Sequence, residues 1–216
     1  MIKSNKYDVI RFTEFNGQEE KLEDICEGEL LCSYIERTDI DKESIYALIS
    51  NLMDSLYNYK LSSGNRLYGC INPYNVLITG KGEVLLLNMN KKSNMFVRRN
   101  MKIEIMKKFY VDSYIEKGLK RKIPEDIFTF AVTVDYIIHR VQSRIRFSYL
   151  EYRNINKVIS KCIGEEKRIY REFDEIKKDL NKTINIPYRK AQKKTTIAMI
   201  ILDLLLVILS FVSVFF

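Results

Sequence analysis

From Asp41 onward the apolar residues Ile45, Leu48, Ile49, Leu52, Leu56 and Tyr59 recur at helical spacing, which predicts a long helix with one face in a core. Glu43 and Ser44 fall in its first turn. Upstream, residues 7 to 25 divide at Asn16-Gly17. That dipeptide suits a tight hairpin because both positions tolerate positive φ, so two short strands are expected. After Glu27-Gly28, the run ELLCSYIER predicts a short helix. Val76 to Ile78 and Glu83 to Leu87 are short β-rich runs around Thr79-Gly80-Lys81-Gly82 and predict a second hairpin. The stretch from Lys91 to Lys108 reads as basic and irregular. Pro124 and Glu125 then open DIFTFAVTVDYIIHRV, a helix with few exposed positions. Two further helices are expected near 149–163 and 172–181, followed by a linker from Thr183 to Lys194.

The pattern changes at Ile197. From there to Phe216 a single charge, Asp203, interrupts an apolar run. At about 1.5 Å per residue this run spans roughly the 30 Å of a bilayer core, so it is expected to be a transmembrane helix. Arg189, Lys190, Lys193 and Lys194 precede it and place that flank in the cytoplasm. The expected arrangement is a cytoplasmic domain held by a tail anchor, single-pass, without the long apolar core of a signal peptide at the N-terminus. Asp203 either faces a partner helix, its own in a homodimer, or lies near enough to the headgroups to be hydrated.

A net charge of +8 raises nucleic acid as a partner, but the basic residues are spread among many acids and no recognition motif accompanies them. No nucleic acid is expected. The juxtamembrane cations either draw the domain onto an anionic leaflet, at about 1 kcal/mol each, or only orient the helix. Cys26, Cys32, Cys70 and Cys162 show no metal-binding or redox spacing and are read as reduced thiols. His139, the single histidine, sits in an apolar helical pattern and is given a structural role.

The segment from Tyr68 to Asn90, YGCINPYNVLITGKGEVLLLNMN, resembles the centre of the protein kinase family, HRDLKPEN-(I/V)LL-x(3)-GEVKLIDFG. It keeps the spacing and the apolar frame while both acids are gone. Cys70 stands at the position of the catalytic aspartate, Asn72 at that of the lysine two residues on, and Asn88 at that of the magnesium-binding aspartate. Asn90 replaces the glycine after it, and Asn75 matches the second metal-binding asparagine, which gives it either a weak cofactor-binding role or that of a loop-capping amide. EDIFTFAVTVDYII is similar to the kinase helix that an aspartate, here Asp126, ties to the catalytic loop. SKCIGEEKRIYREFDEIKKDL is similar to the final kinase helices; Arg168 there either pairs with Asp112 or is an exposed arginine.

The resemblance implies an α+β, mainly α fold. A reduced small-lobe hairpin and hinge would occupy 1–27, a kinase-like large lobe 28–182, a basic linker 183–196 and the membrane helix 197–216. It also implies loss of phosphotransfer, because the glycine-rich loop, the strand lysine and its glutamate partner have no counterparts and Asn88 is neutral. No catalytic residue and no cofactor is expected, although residual ATP and magnesium binding stays open. The function implied is that of a pseudokinase scaffold. Its partner would bind at Arg98, Arg99, Lys107 and Lys108 and at the strand edge left by the missing small lobe. Two alternatives stand beside it. A divergent phosphotransferase would need Glu83, Glu104 or Asp112 to converge on Asn75 and Asn88. A shortened relative of the EssB/YukC membrane components of type VII secretion would share the outline of an inactive kinase-like domain before one membrane helix.

Overall fold

The structure, a computed structural model, describes residues 5–15, 18–69, 71–100 and 123–184. Within them lie four antiparallel strands and six α-helices, an α+β fold. Strands β1 (Asn5–Phe15) and β2 (Gln18–Leu30) form the first hairpin, in register from Asn5 opposite Gly28 to Phe15 opposite Gln18. Strands β3 (Val76–Thr79) and β4 (Val84–Leu87) form the second. The two hairpins join on both sides. Gly28, Glu29 and Leu30 pair with Thr79, Ile78 and Leu77, while Val9 and Ile10 pair with Leu87 and Leu86, which closes a four-stranded barrel.

All four residues of β4 are buried, and the period of two along a strand explains how. Leu77, Leu85 and Leu87 pack with Tyr7, Val9, Cys26 and Val97 in one apolar cluster. Their neighbours Val76, Ile78, Val84 and Leu86 face the larger core made with the helices. That core is centred on α4 (Glu125–Val141), which is apolar around most of its circumference and buried over most of its length. Its buried Thr129 and Thr133 satisfy their hydroxyls on the carbonyls of Glu125 and Thr129.

Helix α1 spans Leu31–Tyr34, and α2 spans Lys42–Ser62. Asp41 caps α2 by accepting the backbone N–H of Ser44 at 2.8 Å. After β4 come a 3-10 turn at Lys92–Asn94 and α3 (Met95–Asn100). Helix α5 (Tyr149–Ile163) begins in a capping box between Ser148 and Glu151 and ends at Gly164, whose φ of 85° favours glycine. Helix α6 spans Phe173–Ile184.

Several expectations need correction. The first hairpin has strands of 11 and 13 residues, and β2 runs through Glu27-Gly28 to Leu30. The helix anticipated after Gly28 is therefore the four residues of α1. The stretch after Lys91 is helical to Asn100, not irregular. The anticipated free strand edge is taken at Val9 and Ile10 by β4 and at residues 28–30 by β3. The outer hairpin, from Arg11 to Glu27, and the first residues of β1 keep edges without a second strand neighbour among the described residues. His139 lies in the exposed last turn of α4, its Nδ1 beside the carboxylate of Asp135 at 3.1 Å, outside the core. Among the described residues no helix is long and apolar enough to cross a membrane; the run from Ile197 to Phe216 lies outside them.

Candidate functional site

The loop between α2 and β3 is built by asparagines. The Asn75 side-chain oxygen accepts the backbone N–H of Asn72 at 2.9 Å, and the Asn72 side chain accepts that of Tyr74 at 2.9 Å. The Asn75 carbonyl then receives the N–H of Leu87 at 3.0 Å, which joins the loop to β4. Asn75 is thus engaged as a capping amide within its own loop. Two residues earlier than Cys70 the loop is anchored from below. The buried carboxylate of Asp126 accepts the backbone N–H groups of Tyr68 and Gly69 at 2.9 and 2.8 Å. Burial pushes this carboxyl above its ordinary range, while the two N–H groups hold it down. Tyr68 adds a hydrogen bond from its hydroxyl to the Leu87 carbonyl at 2.7 Å and packs edge-on to Tyr59.

Asn88, buried at the end of β4, is the hub of the opposite wall. Its backbone N–H donates to the Asp8 carbonyl at 2.8 Å, and its side-chain oxygen accepts the N–H of Asn90 at 3.2 Å. Its Nδ2 donates to Glu23 at 2.9 Å, and the other Glu23 oxygen lies 2.6 Å from Lys91 Nζ. Lys91, then Asn88, hold the Glu23 carboxyl below its ordinary range, and Glu23 raises Lys91 in return. Asn94 donates to the carbonyls of Asp8 and Asn88, while Ser93 bonds the Asp8 carboxylate. The first hairpin is therefore drawn across the end of β4, and Lys21, on β2, lies 5.2 Å above the Tyr59 ring.

Chemically, the amide oxygens of Asn75 and Asn88 both accept backbone N–H groups, and the Glu23 carboxylate is shared between an amide and an ammonium. Among the described residues no group of three or more His, Cys, Asp or Glu converges as a metal site. Glu83 does not reach this place: it lies before the opposite end of β4, where it pairs with Arg11 at 3.3 Å. Glu104 and Asp112 lie outside the described residues, as do Cys70, Lys107, Lys108, Arg189, Lys190, Lys193, Lys194 and Asp203. Arg98 and Arg99 fall within α3. Arg168 is 78% exposed and pairs with Glu175 at 3.2 Å, in keeping with the exposed reading. Cys26, Cys32 and Cys162 are free thiols.

Sequence reasoning missed Glu23, Lys91, Asp8 and Asn94. The Glu23 to Asn88 contact spans 65 positions, and the only trace of it in the sequence is the acidic character of β2. No protein-family model matches this chain, and comparison with curated proteins gives no match.

Proposed function

We propose that the chain is a membrane-anchored, kinase-like large lobe without phosphotransfer chemistry, which acts as a protein-binding scaffold. The observation that carries this reading is the state of position 88. Where the resemblance asks for an acid facing solvent and metal, a neutral amide is buried and tied to Glu23 and Lys91. Phosphoryl transfer depends on positioned charge, so such a site has little with which to hold magnesium and phosphates. The Asp126 bonds to Tyr68 and Gly69 support the kinase-like part of the reading, because they make the tie between helix and loop that the resemblance implies. For a binding surface the reading favours α3, where Met95 and Phe96 are exposed beside the basic continuation to Lys108.

The test is a thermal melt of the full chain in detergent with ATP and magnesium or manganese. A ligand that binds only the folded state raises the melting temperature by mass action. The expected result is no shift at millimolar nucleotide. A metal-dependent rise abolished by Asn75→Ala would overturn the reading and favour a divergent phosphotransferase.

A further inference from the structure

Helices α5 and α6 carry basic residues at one-turn intervals: Arg153, Lys157 and Lys161 on the first, Lys178 and Lys182 on the second. Between the helices lies an open groove of about 370 Å³, lined by Asn154, Lys157, Lys161, Asp179, Lys182 and Thr183. Its single carboxylate, Asp179, is already shared by Lys161 at 2.8 Å, Lys182 at 3.1 Å and the Tyr170 hydroxyl at 2.7 Å. Arg153, Lys157 and Lys178 have no carboxylate partner among the described residues. The groove therefore keeps a surplus of positive charge.

The direction of the helices places a second feature beside this charge. Lys161 meets Asp179 while Asn154 and Thr183 line the same groove, so α5 and α6 run antiparallel. The C-terminal end of α6 then lies beside the first turns of α5, where Tyr149 is 76% exposed and Leu150 44% exposed. An exposed tyrosine and leucine next to unpaired cations match a headgroup layer over acyl chains, where tyrosine is favoured and basic side chains find anionic partners. The chain leaves α6 at this same end. Residues 185–196 could reach at most roughly 43 Å when fully extended, which bounds the distance from this face to Ile197.

We propose that the α5–α6 face is a docking surface for anionic lipid headgroups, which seats the domain on the leaflet with Tyr149 and Leu150 at the interface. The proposal rests on the membrane-anchored reading and adds a specific surface to it.

The chain contains no tryptophan, so Tyr149→Trp introduces a single fluorescent reporter. The full chain carrying it is reconstituted in vesicles of phosphatidylcholine alone or with phosphatidylserine, with brominated acyl chains as quencher. Blue-shifted, quenched emission is expected only with phosphatidylserine and is lost at high salt. Arg153→Glu with Lys157→Glu breaks no ion pair among the described residues and lowers the docked-to-free ratio on the order of tenfold or more. The matched reversal Arg66→Glu with Lys81→Glu, at sites away from this face, leaves it unchanged. Identical emission in both vesicle types, or equal loss from both double variants, would overturn the proposal. Binding of the same face to duplex DNA with no response to vesicles would also overturn it. Extraction in alkaline carbonate separates the two readings. A chain that washes off has lost the anchor reading, and its phosphatidylserine-dependent rebinding from solution then decides docking alone.

Discussion

Glu23 and Asn88 meet at 2.9 Å although 65 positions separate them, and Lys91 clamps the same carboxylate from the other side. The contact fastens the first hairpin over the end of β4. Because the Glu23 carboxyl is held below its ordinary range, its contribution is complete at neutral pH and is lost as pH falls through the lowered value. The protection of amide hydrogens in residues 18–27, relative to the intrinsic exchange rate at each pH, is expected to fall at acid pH, and Glu23→Ala to give that lower protection already at pH 7. The global melting temperature should change little, since the pair is exposed and screened by salt.

Removing the anchor of the loop should be more costly. Asp126→Ala leaves the N–H groups of Tyr68 and Gly69 facing a void, and a loss of about 3 kcal/mol in urea denaturation is expected. Asp126→Asn, which retains one acceptor oxygen, should lose about half as much.

Glu151 does two things at once. It closes the capping box of α5 by accepting the Ser148 N–H, and it receives Lys42 from the start of α2 at 3.1 Å while its side chain is 3% exposed. Burial raises its carboxyl, but Ser148 and Lys42 outweigh burial and hold it below the ordinary range. Stability from this group is present above the ordinary glutamate range and disappears as pH falls through the lowered value. Glu151→Ala should cost about 3 kcal/mol at pH 7, since it strands Lys42 and opens the cap. Glu151→Gln should lose less and flatten the acid limb of a plot of urea midpoint against pH.

Gly28 is required by a close approach. A Cβ at this position would stand 2.5 Å from the Ile78 carbonyl oxygen, a backbone atom of the paired strand. Gly28→Ala is therefore expected to force β2 and β3 apart and to destabilise the chain by about 3 kcal/mol, read by denaturation. Gly80→Ala, with nothing within 4 Å of the added carbon, is the control and should be near neutral.

The elements whose signals are local were legible in the sequence. Asp41 before α2 marked a true start, and the helix expected near 149–163 is α5. Asn16-Gly17 and the Thr79 to Gly82 turn separated the strands correctly. What remained hidden depends on partners distant in the chain. Strand β2 continues past Glu27-Gly28 because β3 receives it there, and nothing in residues 18–30 announces that pairing. At the candidate site, Asn72, Asn75, Asn88 and Asp126 were named from the sequence, whereas Glu23 and Lys91 became visible only once the barrel brought β1 against β4. His139, given a structural role from the apolar pattern around it, falls on an exposed position of the last turn of α4, between the buried Ile138 and Val141.

Closure of the barrel also dictates an order of events during folding. Each hairpin can form from neighbours in sequence, but the seam between them, sealed where Asn94 reaches the Asp8 carbonyl, bridges 86 positions. The intervening chain, with α1, α2 and the asparagine loop, has to be in place before that bridge can close. On a ribosome the strand carrying Tyr7 and Val9 emerges well before Leu85 and Leu87, the side chains that will cover it. The first hairpin is thus made before the strands that cover it and is completed only after they arrive.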